Sequence, residues 1–177
     1  MILTVLESIK ESMEAAIKTI KLPTSGEDGQ EGGFNLVVPN VLIEWLDQVN
    51  AAERRFPETQ RKHNVPCLYV CADEASDESD NEPMTINIRI VAVCWNPGTF
   101  TEELERKIDG VGYYDLINLL ERAKQYIKTN RSFCDKAVLN GGVRLSVYEE
   151  QPYPYWYGWL SFQVSTFGDF YVPEIHF

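Results

Sequence analysis

The chain has 177 residues, of which 44% are hydrophobic and 12% aromatic, a length and composition that fit one domain with a buried core. Lys and Arg number 16 against 27 Asp and Glu, which gives a formal net charge of -11. A field of this sign repels nucleic acids and anionic lipids, so a protein that grips DNA or RNA by its phosphates is disfavoured. We therefore expect a single domain over residues 1–177 that makes no sequence-specific nucleic-acid contact.

The first segment, MILTVLESIKESMEAAIKTIK, is typical of an amphipathic helix and not of a targeting sequence. Charge appears already at Glu7 and Lys10, so a basic region followed by an unbroken apolar stretch is missing. Apolar residues recur at intervals of three and four, which predicts a helix from Leu3 to Ile20 with one buried stripe. The stripe is formed by Leu3, Leu6, Ile9, Met13, Ala16, Ile17 and Ile20. No apolar run reaches about 18 residues, so we expect a soluble, intracellular protein without membrane contact.

Residues 23–33 are predicted to form a mobile loop, because Pro23 is followed by the polar, glycine-rich stretch TSGEDGQEGG. The segment after this loop has two interpretations. Phe34 to Val38 fits a short strand that Pro39 interrupts, and Val41 to Arg55 fits either a helix or a strand followed by a helix.

Two β-rich runs, Val65 to Ala72 and Met84 to Trp95, predict a hairpin with a long acidic connection. In the second run apolar and polar residues alternate up to Ile90, and beyond it both faces become apolar. This pattern indicates a strand whose far end is covered by a helix or by another subunit. Residues 73–83 are predicted to form a second mobile loop. Its six carboxylates belong to Asp73, Glu74, Asp77, Glu78, Asp80 and Glu82.

The second half of the chain predicts one more helix and two strands. Tyr113 to Lys128 has helical spacing, with a stripe formed by Tyr113, Leu116, Ile117, Leu120, Ala123, Lys124 and Ile127. The run Asn140-Gly141-Gly142 is typical of a turn, and VRLSVY and GWLSFQVSTF alternate as half-buried strands do. Together these elements predict an α+β domain, in which two main helices pack on one face of a largely antiparallel sheet of four or more strands.

Neither metal binding nor catalysis is indicated by the residue pattern. Cys67 and Cys71 on one strand would lie about 13 Å apart, too far for a single tetrahedral ion. The acidic loop lacks the glycine and the final glutamate of an EF-hand. His63 and His176 are the two histidines, and no hydrolase, metalloprotease or nucleotide-binding motif is present. We expect four free thiols and neither enzyme activity nor a metal or other cofactor.

The stretch QPYPYWYGW places three tyrosines, two tryptophans and two prolines within nine residues. One interpretation is an edge strand, in which Pro152 and Pro154 block ladder hydrogen bonds while some rings cap the core. The other is an interface, because Tyr and Trp supply large contact areas at a low entropy cost. Composition alone leaves both interpretations open.

Two segments, DGVGYYDLINLLERAKQYI from Asp109 to Ile127 and VYEEQPYPYWYGWLSFQV ending at Val164, stand in a distinctive order. They follow a first helix and an acidic hairpin, and a glycine turn separates them. This order resembles the tail-terminator, or tail-completion, proteins of long-tailed bacteriophages and prophages, and the resemblance is best over Asp109 to Val164. It implies a small α+β subunit of a ring, commonly six-fold, at the head-proximal end of the tail tube.

The resemblance implies a structural and not an enzymatic function. Such a ring stops tube polymerisation and presents the surface on which the head docks. Its partners would be other copies of itself, the tail tube protein and a head-completion or neck protein. Its place would be the neck of the virion, after assembly in the cytoplasm of the bacterial host. On this reading the contact residues are Tyr153, Tyr155, Trp156, Tyr157 and Trp159.

The acidic loop fits the same interpretation, because DNA must slide through a tail without being gripped. We therefore expect Asp73 to Glu82 near the bore or on a face of the ring. Two other hypotheses remain. One is a different head-tail joining or neck protein of similar size, and the other is a small-ligand-binding module or enzyme that uses the aromatic cluster as a pocket.

Overall fold

A computed structural model describes residues 1–24, 34–44, 65–76, 83–100, 106–107, 109–135 and 137–166. Within these ranges the chain forms two helices and ten strands, most of them belonging to one sheet. The helices are α1 (Ile2–Ile17) and α2 (Val111–Thr129). The strands are β1 (Leu22–Pro23), β2 (Leu36–Val37), β3 (Asn40–Leu42), β4 (Cys67–Ser76), β5 (Met84–Trp95), β6 (Thr99–Phe100), β7 (Arg106–Lys107), β8 (Ser132–Phe133), β9 (Ala137–Val147) and β10 (Tyr155–Thr166).

The main sheet has six strands in the order β3-β4-β5-β10-β9-β8. All its pairings are antiparallel except that of β3 with β4. The mixed architecture with two helices and a largely antiparallel sheet is therefore confirmed. Two further pairs, β1 with β2 and β6 with β7, form small ribbons outside this sheet.

The predicted hairpin of two β-rich runs is present, since β4 and β5 pair antiparallel along their length. The first strand is longer than expected and continues to Ser76. Placing Asp73 and Glu74 in a mobile loop was therefore wrong. Glu74 pairs with Asn87 and accepts a hydrogen bond from its side chain, whereas Asp73 lies at a shift in the register and forms an ion pair with Arg89. The four remaining acidic residues lie outside the described residues: Asp77, Glu78, Asp80 and Glu82.

The segment after the first predicted loop is extended where it is described. The expected short strand is β2, and after Pro39 the chain enters β3. This favours the strand interpretation for Val41, while residues 45–64, which would hold the helix, lie outside the described residues. Pro23 belongs to β1 and not to a loop, because β1 pairs with β2. The rest of the predicted loop, from residue 25 on, is outside the described residues.

The run Asn140-Gly141-Gly142 was predicted as a turn, and this was wrong. It lies inside β9, where the register with β10 shifts between Ser161 and Gln163. Residues 141–143 bulge out opposite the single residue Phe162. Gly141 has a φ of +80°, a backbone angle that a glycine adopts without strain.

The larger core contains buried residues of both helices and one set of strand side chains. The buried residues of α1 and α2 share this cluster with alternate residues of β4, β5 and β10. The helix stripes differ in part from the predicted ones. Leu3 is exposed and Val5 is buried in its place, and Tyr113 is exposed while Leu119 is buried. The predicted stripe residues Ile117 and Lys124 are only half-buried. The core side chains of α2 are Leu116, Leu119, Leu120, Ala123 and Ile127.

A smaller cluster involves the strand residues that point the other way. Val91 and Val93 of β5 join Cys67 of β4 and Tyr157 of β10. Since Ile90, Ala92 and Cys94 belong to the larger core, the end of β5 is apolar on both of its faces, as its sequence predicted. No helix within the described ranges has both the length and the apolar character needed to cross a bilayer.

Candidate interaction surface

The aromatic side chains of β10 point in two opposite directions. Tyr155, Tyr157 and Trp159 alternate along the strand and contact the smaller cluster. Trp156 points the opposite way and packs against the larger core. Tyr153 lies in the connection before the strand. The five residues that the resemblance singles out are therefore not brought together into one surface.

The edge-strand interpretation of this stretch was wrong, because β10 lies inside the sheet between β5 and β9. The prolines precede the strand and belong to its connection with β9. Gln151 closes that connection. Its Nε2 donates to the carbonyl oxygens of Tyr148 and Tyr157, and its Oε1 accepts from the backbone N–H of Tyr157 at 2.6 Å. The connection is thus fixed by a side chain that the sequence pattern did not single out.

Asn96, at the end of β5, joins the aromatic stretch to the second helix. Its side chain is only 6% exposed, and its Nδ2 donates to Asp115 Oδ2 of α2 at 2.9 Å. Its Oδ1 accepts from the N–H of Gly98, and its carbonyl oxygen accepts from Trp156 Nε1. Burial raises the pKa of the Asp115 carboxyl, an effect that the hydrogen bond from Asn96 opposes.

Gly112 lets the start of α2 approach Trp156. A Cβ at this position would lie 2.1 Å from Trp156 Nε1 and 2.9 Å from Asn96 Cβ, so no larger residue fits without a shift. The indole and Asn96 therefore both lie close to the backbone at the start of the helix. Nearby, the Tyr153 hydroxyl donates to the carbonyl oxygen of Pro97, which fixes the Tyr153 ring at the same end of the sheet.

Four large apolar or aromatic side chains are exposed around this junction, and we call them the aromatic patch. They are Val111, Tyr113, Tyr114 and Tyr153, and Tyr114 is 67% exposed. The Tyr113 ring lies 6.4 Å from that of Tyr114 and 6.3 Å from that of Trp156, both edge to face. Tyr114 was not among the predicted contact residues, although its position between helical stripe residues marks it as outward-facing.

Trp159 has a different environment on the sheet. The guanidinium groups of Arg89 and Arg144 lie 5.7 Å and 5.6 Å from its ring centroid. Arg89 also forms an ion pair with Asp73 at 2.7 Å. These contacts place Trp159, Arg89 and Asp73 on the same side of the sheet.

Two further groups of exposed aliphatic side chains lie elsewhere. The aliphatic patch comprises Met1, Ile2 and Leu3 at the start of α1, and Leu3 is 59% exposed. The β2 patch comprises Leu36, Val37 and Val38, and Leu36 is 57% exposed. Contiguous exposed apolar side chains of this kind mark candidate contact surfaces.

Three of the four thiols are buried. Cys67, Cys71 and Cys94 are buried, Cys134 is half-buried, and all four are free. Burial raises the pKa of Cys67 to about 12 and that of Cys71 to about 11, so these groups stay protonated at neutral pH. Among the described residues, no three His, Cys, Asp or Glu side chains are grouped so as to hold a metal ion. Comparison with known protein families and with curated proteins finds no match to this chain.

Proposed function

We propose that this chain is a structural subunit that assembles with copies of itself into a ring of the phage tail-terminator type. The observation that carries the proposal is the aromatic patch, in which Tyr113, Tyr114 and Tyr153 are exposed. The Tyr153 hydroxyl donates to Pro97, and the Tyr113 ring packs against that of Trp156. Rings held in place before association lose little entropy when they are buried, and Tyr is favoured at the centres of interfaces. A second copy or a tube subunit would cover this patch.

The packing of the helices supports the same proposal. We infer that both helices cover one face of the sheet, because their buried residues share a core with the same alternate residues of β5 and β10. The opposite face would then be left for neighbours in the ring. Its half-buried aromatic residues are Tyr69, Trp95, Tyr148, Tyr155 and Trp159.

The hypothesis of a ligand-binding module or enzyme has less support. A pocket lined by the aromatic cluster needs its rings to converge, whereas Trp156 and Trp159 belong to different clusters on the two sides of β10. A head-tail joining or neck protein of another kind remains the alternative within the structural class. It would share the self-association and differ in the partner that it binds.

The proposed location is the virion neck, reached after assembly in the host cytoplasm, with the tube protein on one face of the ring and a neck protein on the other. The net charge of -11 supports a bore that repels DNA phosphates. The acidic segment that begins at Asp73 would lie near that bore or on a ring face. Replacing its six carboxylates with amides should then slow DNA passage, and unchanged infectivity would remove the support for this placement.

The test of the proposed function is a tube-termination assay. The tail tube protein encoded near this chain is polymerised alone and in the presence of the chain, and tube lengths are measured by electron microscopy. We expect shorter tubes that carry the labelled chain at one end only. Unchanged lengths and unlabelled ends would contradict the terminator proposal, and binding to a head-completion protein instead would favour the neck alternative.

A further inference from the structure

The two helices run in opposite directions, which separates their starts. Arg122 Nε of α2 donates to the Ala16 carbonyl oxygen near the end of α1. The backbone N–H of Cys134, beyond the end of α2, donates to Ser8 Oγ in the first half of α1. The start of α1 therefore lies toward the end of α2. At a rise of 1.5 Å per residue, the 19 residues of α2 span about 28 Å. The aromatic patch and the aliphatic patch consequently lie at opposite ends of the helix pair.

In the described segments that border the aromatic patch, residues 106–107, 109–115 and 148–154, four residues are acidic and two, Arg106 and Lys107, are basic. Asp109 precedes α2 and accepts a hydrogen bond from the N–H of Val111, and Asp115 follows in the first turns. Glu149 and Glu150 are exposed in the connection that leads to Tyr153. If two aromatic patches met each other, the exposed carboxylates of Glu149 and Glu150 in one copy would approach those of the other. Like charges across an interface repel, so a symmetric contact of this patch with itself is disfavoured.

The aliphatic patch has different electrostatic surroundings. Its three side chains carry no charge, and the first charged side chain of α1 is Glu7. Lys128 and Arg131 are exposed at the end of α2 on this side, and with Glu7 and Asp135 they give balanced charge. This end can therefore meet the acidic border of the aromatic patch without the repulsion that two aromatic patches would suffer. Leu3 and Ile2 would supply the apolar surface that the tyrosine rings cover.

We infer that the aromatic patch of one copy binds the aliphatic patch of the next, so that copies join head to tail. This inference rests on the proposed self-assembly and specifies which two surfaces form the contact. A contact between unlike surfaces repeats from copy to copy, and it yields a ring when the rotation between neighbours closes. The β2 patch is then free for a partner outside the ring.

Disulfide trapping between two differently tagged chains tests the inference. Both chains carry Cys134→Ser, which removes the half-buried native thiol, whereas the other three are buried. One chain carries Tyr114→Cys, and the other carries Leu3→Cys. Leu36→Cys is the matched control, because Leu36 is an exposed leucine of nearly the same accessibility, 57% against 59%. After mild oxidation, cross-linked species are separated by mass on a non-reducing gel.

We expect the Tyr114→Cys chain to form several-fold more disulfide with the Leu3→Cys chain than with itself or with the Leu36→Cys chain. Predominant Tyr114→Cys homodimers would overturn the inference in favour of a symmetric contact. Predominant linkage to Leu36→Cys, or yields equal for all pairs, would overturn it as well. Light scattering on the wild-type chain separates the two proposals: an assembled wild type without the expected cross-link refutes only the head-to-tail contact, whereas a strictly monomeric wild type refutes self-assembly itself.

Discussion

Gly112 and Trp156 make the tightest contact between α2 and the sheet that a substitution can probe. Gly112→Ala would place a Cβ 2.1 Å from the Trp156 indole, whose Nε1 donates to the carbonyl oxygen of Asn96. We expect this change to lower the free energy of unfolding by about 2 kcal/mol, because overpacking outweighs the gain in helix propensity. Denaturant unfolding measures the difference.

Gly110→Ala serves as the control for this prediction. Its added Cβ would meet its nearest neighbour, Tyr114 Cε2, at 3.9 Å, an ordinary contact. We expect a loss below about 1 kcal/mol, since the residue lies at the helix N-cap, where alanine is only moderately worse. Equal stability of the Gly112→Ala variant and the wild type would show that the indole is not confined as described.

Asp115 makes the free energy of unfolding depend on pH, and its burial determines the direction of that dependence. Burial raises the pKa of this carboxyl, so the folded state keeps the proton to a higher pH than the unfolded state does. The free energy of unfolding therefore falls as pH rises through the interval between the two pKa values. Asn at this position does not ionise and keeps an acceptor for Asn96.

We therefore expect the stability of Asp115→Asn relative to the wild type to increase as the pH rises from about 4, the ordinary range of an Asp carboxyl, toward neutrality. Urea midpoints of both proteins across this range provide the measurement. A difference that stays constant, or that changes in favour of the wild type at higher pH, would be inconsistent with a raised pKa of Asp115.

The residues of this junction could be predicted from the sequence only in part. Trp156 was noticed because aromatic residues are crowded around it. Its partners Asn96 and Gly112 are distant in sequence and belong to no periodic pattern, so only the fold reveals that they meet. Tyr113 was assigned to the buried stripe because it fits the helical spacing, yet it lies in the first turn, where the core no longer covers the helix.

Strand β9 contains a bulge with two glycines that differ in backbone conformation. Gly141 has a φ of +80°, whereas Gly142 does not lie in that region, and a Cβ at either position would meet no atom within 4 Å. We expect Gly141→Ala to lower the free energy of unfolding by about 1 kcal/mol through backbone strain, and Gly142→Ala to change it by less than about 0.5 kcal/mol. Thermal or denaturant unfolding of both variants provides the comparison.

Equal effects of the two substitutions would show that backbone conformation at Gly141 does not affect stability.

The same segment explains a failed sequence prediction. Asn-Gly-Gly is typical of turns because it tolerates positive φ, and a bulge requires the same tolerance while the strand continues. Local sequence thus identified the unusual backbone, whereas the pairing with β10 decided that it would not reverse the chain.

The strands themselves were predicted where alternation was regular. Met84–Trp95 has the predicted bounds, because its isoleucines alternate with polar residues and its end is apolar on both faces. The order of the strands was not predictable in this way. One of the two interpretations made β10 an edge strand because of its prolines, but Pro152 and Pro154 precede its first residue, Tyr155. No local sequence pattern indicates that β10 lies in the middle of the sheet or that β3 pairs parallel with β4.

Self-association of the whole molecule should depend on the aromatic patch and not on the overall charge. Tyr114→Glu adds a carboxylate at its most exposed ring, and we expect it to weaken self-association by at least about tenfold, since truncating a central aromatic contact costs about 2 kcal/mol or more. Its melting temperature should stay close to that of the wild type, because the side chain is outside the core.

Gln125→Glu is the matched control, because Gln125 is exposed about three turns further along α2 on nearly the same side of the helix. It adds the same charge without touching the aromatic patch. Sedimentation equilibrium of both variants measures the effect. Equal weakening by both substitutions would attribute the loss to net charge and would remove the aromatic patch from the interface.

Self-assembly is the central claim, and light scattering behind a sizing column, across a wide range of concentrations, tests it most directly. We predict a species of several chains of 20.3 kDa each, about six for a ring of the expected symmetry, that gains population as the concentration rises or when the tube protein is added. A mass that stays at one chain under all these conditions would contradict the account.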